Sequence, residues 1–257
     1  MPRKTISTFS VSEVIHLSPD TFVMHLQGVP PLPEVFAGQF AEVEVPGSPD
    51  VFLRRPLSIH AADRERGMLS FYVKTVGKGT RRLSELLPGE KVSVVYPLGN
   101  QFTLLNSGKV LLVAGGTGVA PMLMLAQSLK GAGAEPTLLI GGRSASDIHV
   151  TEAYHEAAEV LVTTEDGSAG IMGRVTDHPV LKENFDFVRI CTCGPDPMMK
   201  ALAVIAREKH VICEASLENT MACGFGACLC CVVKTTEGHK CVCTEGPVFD
   251  TRNLENW

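Results

Sequence analysis

Cysteine residues are concentrated in one short segment near the C-terminus, and their spacing indicates a metal-binding site. Within the segment 221–231, residues Cys223, Cys228 and Cys231 form a C-x4-C-x2-C pattern. This spacing supplies three of the four thiolate ligands of a [2Fe–2S] cluster. The two glycines inside the pattern suit a loop that wraps closely around such a cluster, because glycine adopts backbone angles that other residues avoid.

The fourth ligand is expected from a second pair of cysteines, Cys241 and Cys243, about ten residues further on. The spacing alone leaves the choice between them open. A zinc site is an alternative, because Cys228 and Cys231 also form a C-x2-C half-site, and unliganded thiols are another. Cys230 does not fit the pattern together with both Cys228 and Cys231.

The composition favours a reducing compartment and argues against nucleic-acid binding. The chain has 257 residues, a formal net charge of −5 and nine cysteines, and 45% of its residues are hydrophobic. An odd number of cysteines does not make a complete disulfide framework, and no apolar signal segment is evident. No apolar run approaches the roughly 18 residues of a membrane helix. We therefore expect a cytoplasmic protein without membrane or nucleic-acid partners.

Short β-type runs separated by glycine and proline fill the first hundred or so residues. The runs 21–26, 40–45, 69–74 and 92–96 each fit a half-buried strand. This pattern predicts a small antiparallel barrel or a sandwich over residues 1–102.

Two features of this first region indicate a phosphate-binding site. Arg54 and Arg55 precede Pro56, and an arginine in such a place either binds phosphate bidentately or belongs to a solvated sheet edge. Gly79 and Thr80 lie in a glycine-rich turn that opens a short helix. The first N–H groups of that helix are free to bind phosphate, although an ordinary strand–turn–helix junction is the alternative.

The middle of the chain changes to an α/β pattern. Residues 110–114 form a continuous apolar run, as in a strand buried on both faces, and a glycine turn (115–121) and a helix (122–130) follow it. This succession is that of a dinucleotide phosphate site, but the turn lacks the G-x-G-x-x-G fingerprint, so an ordinary βα turn is the alternative.

Strand-like and helical segments continue to alternate further along the chain. They are a strand at 136–140, a helix at 148–158, strands at 160–163 and 187–191, and a helix at 198–209. This alternation predicts a doubly wound parallel sheet over residues 103–212, with ligands at the carboxyl ends of its strands. The segment 193–199 lies at such an end.

The motifs of both regions resemble the ferredoxin–NAD(P) reductase superfamily. In that family an R-x-[YL]-[ST] segment lies along FAD and a Gly-Thr turn binds its phosphates, while Gly-Gly-Thr-Gly-x-Ala-Pro and Cys-Gly-Pro loops bind NAD(P). The resemblance implies FAD contacts from Arg55, Pro56, Leu57, Ser58, Tyr72, Val73, Lys74, Gly79 and Thr80. It implies NAD contacts from Gly115, Gly116, Thr117, Gly118, Pro121, Cys193, Gly194, Pro195 and Met198.

By the same resemblance, Arg55 would pair with the FAD pyrophosphate, and Leu57 and Ser58 would flank the isoalloxazine ring. Arg143 is the one candidate to bind the 2′-phosphate of NADP. We expect NAD rather than NADP, because no pair of basic residues suited to a 2′-phosphate is evident in the sequence.

The cysteine segment carries a narrower resemblance. Met-Ala-Cys-Gly-x-Gly-Ala-Cys, starting at Met221, and Cys-x-x-Gly-Pro-Val-Phe, ending at Phe249, are similar to the electron-transfer subunits of NAD-linked (type B) dihydroorotate dehydrogenases. There the cysteine before x-x-Gly-Pro-Val-Phe is the fourth ligand. The resemblance therefore implies a small [2Fe–2S] module over residues 213–257. Its implied ligands are Cys223, Cys228, Cys231 and Cys243. The extra thiols Cys230 and Cys241 leave open a shifted set of ligands in which one of them replaces a neighbouring cysteine.

The expected function is that of a multi-domain electron-transfer subunit in pyrimidine biosynthesis. A flavin exchanges a hydride with NAD and single electrons with a cluster, so FAD must stand between them, and no site for a carbon substrate is evident. The resemblance implies an FMN-containing catalytic subunit as partner, in a heterotetramer of two plus two. The alternatives are a flavin/iron–sulfur subunit of a hydrogenase or transhydrogenase, and a zinc-dependent interaction protein on a reductase scaffold.

Overall fold

The structure, a computed structural model, describes residues 4–257. Its strands are β1 (Thr5–Ser18), β2 (Thr21–Gln27), β3 (Phe40–Val43), β4 (Arg55–Ser58), β5 (Ala61–Asp63), β6 (Met68–Lys74), β7 (Lys91–Leu98), β8 (Lys109–Gly115), β9 (Glu135–Gly142), β10 (Glu159–Thr164), β11 (Ile171–Met172), β12 (Phe187–Cys193), β13 (Ile212–Ser216), β14 (Val232–Thr235), β15 (Gly238–Cys241) and β16 (Val248–Asp250). Its α-helices are α1 (Lys78–Ser84), α2 (Met122–Ala132), α3 (Glu152–Ala157), α4 (Asp196–Glu208) and α5 (Val242–Glu245).

The first sheet is antiparallel and closes into a barrel, as one of the two sequence-based alternatives predicts. Its strand order is β4-β3-β7-β1-β2-β6-β5. Only two residues separate its edge strands β4 and β5. The N–H of Ile59 donates to the carbonyl of Gln39 next to β3, and the N–H of His60 donates to the carbonyl of Ser70 in β6. The same short stretch therefore hydrogen-bonds next to β3 at one end of the strand order and to β6 at the other.

Side chains of the barrel strands alternate between the core and the surface, as the sequence pattern predicts. In β2, Phe22, Met24 and Leu26 are completely buried, whereas Val23 and His25 between them are only half-buried. A period of two is that of a strand with one face on the core.

The second sheet is parallel and doubly wound, which confirms the predicted α/β domain. Its order is β11-β10-β9-β8-β12-β13-β16, and only the β13–β16 pair is antiparallel. The central strand β8 is buried from Val110 to Ala114 because helices cover both of its faces. Leu112 packs in the cluster that contains α2, and Leu111 in the cluster that contains Leu202 of α4.

The helix predicted over residues 198–209 is present as α4 (Asp196–Glu208), and two other helices also differ from the sequence-based prediction. The helix expected over residues 148–158 is present only as α3, because Ile148 is extended and the helix begins after Thr151. Helix α2 continues through Gly131 and ends at Gly133, whose φ of 104° is left-handed. A left-handed glycine is a common helix terminator.

The C-terminal segment packs against both sheets. Phe40 and Leu98 of the barrel, Met199 of α4 and the cysteines Cys231 and Cys243 belong to one buried cluster. The expected border between residues 212 and 213 falls inside β13, and β16, from beyond that border, pairs with β13. The parallel sheet therefore extends into the segment expected to be a separate module, and the division into 1–102, 103–212 and 213–257 stays a proposal. None of the helices within residues 4–257 has the length and apolar character to cross a membrane.

Candidate functional site

The barrel brings the predicted FAD residues of β4 and α1 together. The four residues Arg55–Ser58 form β4 and are all half-buried. An ideal Cβ placed on Gly79 would lie 2.5 Å from Nε of Arg55. The guanidinium group therefore lies directly over the first turn of α1, so a cation and the free N–H groups of a helix terminus face the same place. This combination suits a pyrophosphate.

Thr80, predicted to bind FAD, also has a structural position. Its hydroxyl accepts the N–H of Val76 at 2.9 Å and that of Gly77 at 3.2 Å, and so fixes the turn before α1. The first helical hydrogen bond runs from the N–H of Arg81 to the carbonyl of Gly77. The N–H groups of residues 78–80 therefore have no partner within the helix, as expected for a first turn.

The two adjacent arginines have different surroundings. Arg54 donates to the carbonyl of Ser93 at 2.6 Å and to its hydroxyl at 2.9 Å. Arg54 therefore joins the loop before β4 to β7, whereas Arg55 turns to the proposed phosphate site. The sequence could not separate these roles, because each arginine alone fits either one.

Loops at the carboxyl ends of the parallel strands line a cavity of about 730 Å³, a size typical of small-molecule and cofactor sites. The predicted NAD residues that line it are Gly115, Gly116, Thr117, Gly194, Pro195 and Met198. Lys74, predicted to contact FAD, lines it too. The cavity therefore connects the nucleotide loops with β6 of the barrel.

The other predicted NAD residues, Gly118, Pro121 and Cys193, are not among the residues that line the cavity. An ideal Cβ on Gly118 would lie 2.0 Å from the carbonyl oxygen of Cys193, so only glycine permits this approach of the two loops. Pro121 is buried immediately before α2. Burial, and then the charge of Glu218, raise the pKa of the Cys193 thiol, which is 1% exposed. These three residues therefore pack behind the residues that line the cavity.

Several polar residues of the cavity were missed by the sequence analysis, among them Glu165, Arg174 and Glu218. Glu165 directly follows β10, and Glu218 lies two residues after β13. The rule that ligands bind at the carboxyl ends of parallel strands would have selected both. Arg143, the candidate for a 2′-phosphate, also lines the cavity, so positive and negative side chains share the end of the cavity at β9 and β10.

The cysteine loop holds Cys223 in a hydrogen-bonding environment suited to a thiolate. The N–H of Ala227 donates to Sγ of Cys223 at 3.3 Å. Partial burial raises the pKa of Cys223, but hydrogen bonds from the N–H groups of Phe225, Cys228 and Ala227 and from the Cys228 thiol lower it overall, to about 6. Backbone N–H groups that converge on a cysteine sulfur are a known means of tuning an iron–sulfur cluster. The loop therefore fits the predicted cluster.

Cys231 and Cys243 lie together beneath this loop. They are 2% and 1% exposed, and the N–H of Cys243 donates to Sγ of Cys231 at 3.4 Å. Burial, and then Cys231, raise the pKa of Cys243 to about 12, while the N–H of Gly226 in the loop lowers it. Cys241 also interacts with Cys231, so both candidates for the fourth ligand stay close to the site. Cys230 is exposed.

The predicted ligands include two neighbouring pairs of thiols. Cys223 lies next to Cys228, and Cys231 next to Cys243. Within residues 4–257, no group of three or more histidine, cysteine, aspartate or glutamate side chains is arranged as a metal site. The four thiols are the right donor set for a [2Fe–2S] cluster, and their assignment as ligands remains a prediction.

The cysteine loop also contacts an acidic residue that no sequence motif indicates. Glu42 in β3 lies under Gly224. Burial, and then the charge of Cys223, raise the pKa of Glu42 to about 7, although Arg54 and Arg55 oppose this shift.

Two family models match parts of the chain. Residues 218–255 match the family described as the iron–sulfur cluster binding domain of dihydroorotate dehydrogenase B. Residues 112–203 match the oxidoreductase NAD-binding domain. The first match covers all the candidate cysteine ligands and favours iron–sulfur over zinc.

Curated relatives extend the similarity over nearly the whole chain. The dihydroorotate dehydrogenase B (NAD+) electron transfer subunit of Desulforamulus reducens is 38% identical over 93% of this chain and 94% of the relative. The subunit of the same name from Clostridium acetobutylicum is 43% identical over 77% of each chain.

Solved structures show the same fold. An NADH-dependent reduced ferredoxin-NADP oxidoreductase, described in connection with flavin-based electron bifurcation, has a TM-score of 0.86 and 32% identity, and covers 96% of this chain and 89% of its own. The ferredoxin reductase of carbazole 1,9a-dioxygenase has a TM-score of 0.69 and 22% identity over 81% of this chain and 67% of its own. The latter similarity concerns the fold alone.

These similarities confirm the predicted NAD-linked oxidoreductase subunit and its three cofactors, FAD, a [2Fe–2S] cluster and NAD. The name of the relatives implies a separate catalytic subunit as partner. With full-length identity to such relatives well above 30%, the chain belongs to the family of electron-transfer subunits of dihydroorotate dehydrogenase B (NAD+).

Proposed function

We propose that this chain passes electrons from an FMN-containing catalytic subunit, which oxidises dihydroorotate, to NAD+. The contiguity of the three candidate sites carries the proposal. The cysteine loop packs on β3 through Glu42, β3 pairs with the proposed flavin strand β4, and Lys74 of β6 lines the nucleotide cavity. The proposed cluster, flavin and nicotinamide sites would therefore follow one another across the molecule.

The chain's own residues have distinct tasks in this proposal. Arg55 and the first turn of α1 would hold the FAD pyrophosphate, and the loops of Gly115–Thr117 and Gly194–Met198 would hold NAD. Bound FAD supplies the conversion between hydride and single-electron transfer. Cys223, Cys228, Cys231 and Cys243 would hold the cluster.

The cluster loop offers a surface that a partner subunit would cover. Phe225 and Leu229 are 56% and 64% exposed, and they stand beside the proposed ligands Cys223 and Cys228. Exposed apolar side chains grouped at one place mark interaction sites. We assign this surface to the catalytic subunit, in a heterotetramer of two plus two. All nine cysteines are free thiols, which suits the cytoplasm.

A second candidate function follows from the strong structural similarity to the NADH-dependent ferredoxin-NADP oxidoreductase. In that case the partner would be another flavin/iron–sulfur subunit rather than a dihydroorotate dehydrogenase.

Co-purification from the native host distinguishes the two candidates. The chain is tagged at its N-terminus, captured anaerobically, and its partner is identified by mass spectrometry and its stoichiometry by light scattering. We expect a dihydroorotate dehydrogenase catalytic subunit with FMN, in equal amount, at the mass of two plus two. A ferredoxin- or NADP-linked partner in its place would support the second candidate.

A further inference from the structure

One glutamine side chain is buried where the barrel meets the C-terminal segment. Gln39, directly before β3, is 2% exposed, and among the described residues it is the only fully buried glutamine or asparagine. Its Oε1 accepts the N–H of Phe36 at 2.9 Å, and its Nε2 donates to the carbonyl of Gly99 at 3.0 Å. Glutamine is mostly exposed in proteins, and a buried amide group costs free energy unless it is hydrogen-bonded. The bond to Gly99 connects positions 60 residues apart in the chain.

On one side, Gln39 is joined to the proposed flavin strand. Its carbonyl accepts the N–H of Ile59 at 3.0 Å, and Ile59 directly follows β4. The next residue of β3, Phe40, stands opposite Ser58 of β4, which is one of the predicted FAD residues. A displacement of Gln39 would therefore displace the end of β4.

On the other side, Gln39 is bonded to a turn that supports the C-terminal segment. Gly99 in this turn has a φ of +74°, and an ideal Cβ there would lie 2.5 Å from Cδ of Pro247 and 2.7 Å from the carbonyl oxygen of Gly246. Both of these residues directly follow α5, the helix that contains the proposed ligand Cys243. The turn therefore packs against the end of this helix, and the side chain of Gln39 holds the turn.

We propose that Gln39 is a positioning residue for electron transfer, because it fixes the separation between the flavin strand β4 and the helix α5. The inference rests on the flavin and the cluster of the proposed function. Electrons from NADH reach the cluster in two steps: NADH gives a hydride, with two electrons, to the flavin, and the reduced flavin then gives one electron to the cluster. Only the second step depends on the distance between β4 and α5, and its rate falls steeply as that distance grows.

The test compares two glutamine-to-methionine variants in the complex purified with its partner. Gln39→Met keeps a side chain of similar length but removes the hydrogen bonds to Phe36 and Gly99, whose backbone groups are left without these partners. Gln27→Met is the matched control, because Nε2 of Gln27 donates to two backbone carbonyls within the barrel. Stopped-flow absorbance gives the rates of flavin reduction by NADH and of cluster reduction. Hydrogen exchange of residues 244–250, followed by mass spectrometry, is a readout that needs no electron transfer.

We expect cluster reduction to slow by about threefold or more in Gln39→Met, since a small misplacement of reacting groups has a large effect on rate. NADH should still reduce the flavin at the wild-type rate, and the amides of residues 244–250 should exchange faster. Gln27→Met should match wild type in both rates and in the exchange of this segment.

A wild-type rate of cluster reduction in Gln39→Met, or an equal slowing in Gln27→Met, would overturn the inference. If Gln39→Met does not fold, Gln39→Asn, which keeps the amide group but shortens the side chain, is judged by the same criteria. A wild-type complex in which NADH reduces the flavin but not the cluster would contradict the proposed function itself.

Discussion

At the scale of single residues, the spacing of the cysteines selects a kind of site but not every ligand. Cys223, Cys228 and Cys231 follow from one pattern. The spacing leaves the choice between Cys241 and Cys243 open, and only the resemblance through Cys-x-x-Gly-Pro-Val-Phe implies Cys243. The N–H of Gly226 contributes a hydrogen bond to Cys243, and Cys241 ends β15 opposite Val232. This backbone contact favours Cys243 as the fourth ligand, and it cannot be predicted from the sequence pattern.

Serine substitution tests this choice. We expect Cys243→Ser to lose most of the cluster's visible absorption and about half or more of its bound iron, because a hydroxyl is a poorer ligand than a thiolate. Cys241→Ser is the control and should keep both. The assignment is wrong if the two results are reversed.

Arg55 should contribute directly to flavin affinity. In the proposed site its loss would remove charge-assisted hydrogen bonds to the pyrophosphate, so Arg55→Ala should weaken FAD binding by at least about tenfold. The measurement is fluorescence titration of the flavin-free protein with FAD. Arg54→Ala is the control: because Arg54 is bonded to Ser93, it should lower thermal stability and leave the FAD affinity close to wild type. Equal losses of affinity in both variants would contradict the separate roles.

At the scale of elements, the nucleotide site depends on the close approach of two loops. The loop after β8 and the loop after β12 meet where Gly118 faces the carbonyl of Cys193. The sequence predicts each loop from a strand, a glycine turn and a helix. It also predicts their meeting, because carboxyl ends of parallel strands share one edge. What it does not predict is which glycine the contact requires, since that depends on an interatomic distance.

Alanine substitutions distinguish a glycine that a close backbone contact requires from a glycine with open space around it. Gly118→Ala would place a methyl group 2.0 Å from a carbonyl oxygen, so we expect the loops to separate and the Kd for NADH to rise about tenfold or more. Gly131→Ala is the control in α2, where an added Cβ meets nothing within 4 Å. It should leave NADH binding unchanged and stabilise the protein by up to about 1 kcal/mol. Tight NADH binding by Gly118→Ala, measured by calorimetry, would refute this role.

At the scale of the whole molecule, the Gly-Pro-Val-Phe motif joins the three parts of the chain. Asn100, just after β7 of the barrel, donates to the carbonyls of Glu245 and Val248 and accepts the N–H of Val248. Val248–Asp250 then forms β16 of the parallel sheet. The sequence marks this motif only through the resemblance, because its partners are about 150 positions away in the chain. The order of the parts was predictable, whereas the contacts that fix their arrangement were not.

Loss of Asn100 should therefore loosen the C-terminal segment. Asn100→Ala removes these hydrogen bonds and leaves backbone groups unpaired, so we expect a loss of about 1–3 kcal/mol in stability and faster release of iron on heating. Asn106→Ala, at an exposed position, is the control and should change neither. The check is thermal unfolding followed together with cluster absorbance. Identical unfolding of the two variants would contradict the anchoring role.

The central claim is that this chain connects a dihydroorotate-oxidising subunit to NAD+. The most direct measurement is NADH formation by the complex of this chain with its catalytic subunit, after addition of dihydroorotate and NAD+ without oxygen. We predict steady NADH formation, which is lost in a complex that contains Cys243→Ser although dihydroorotate still reduces the catalytic subunit. A complex with full flavin and cluster content that forms no NADH from dihydroorotate would contradict the claim.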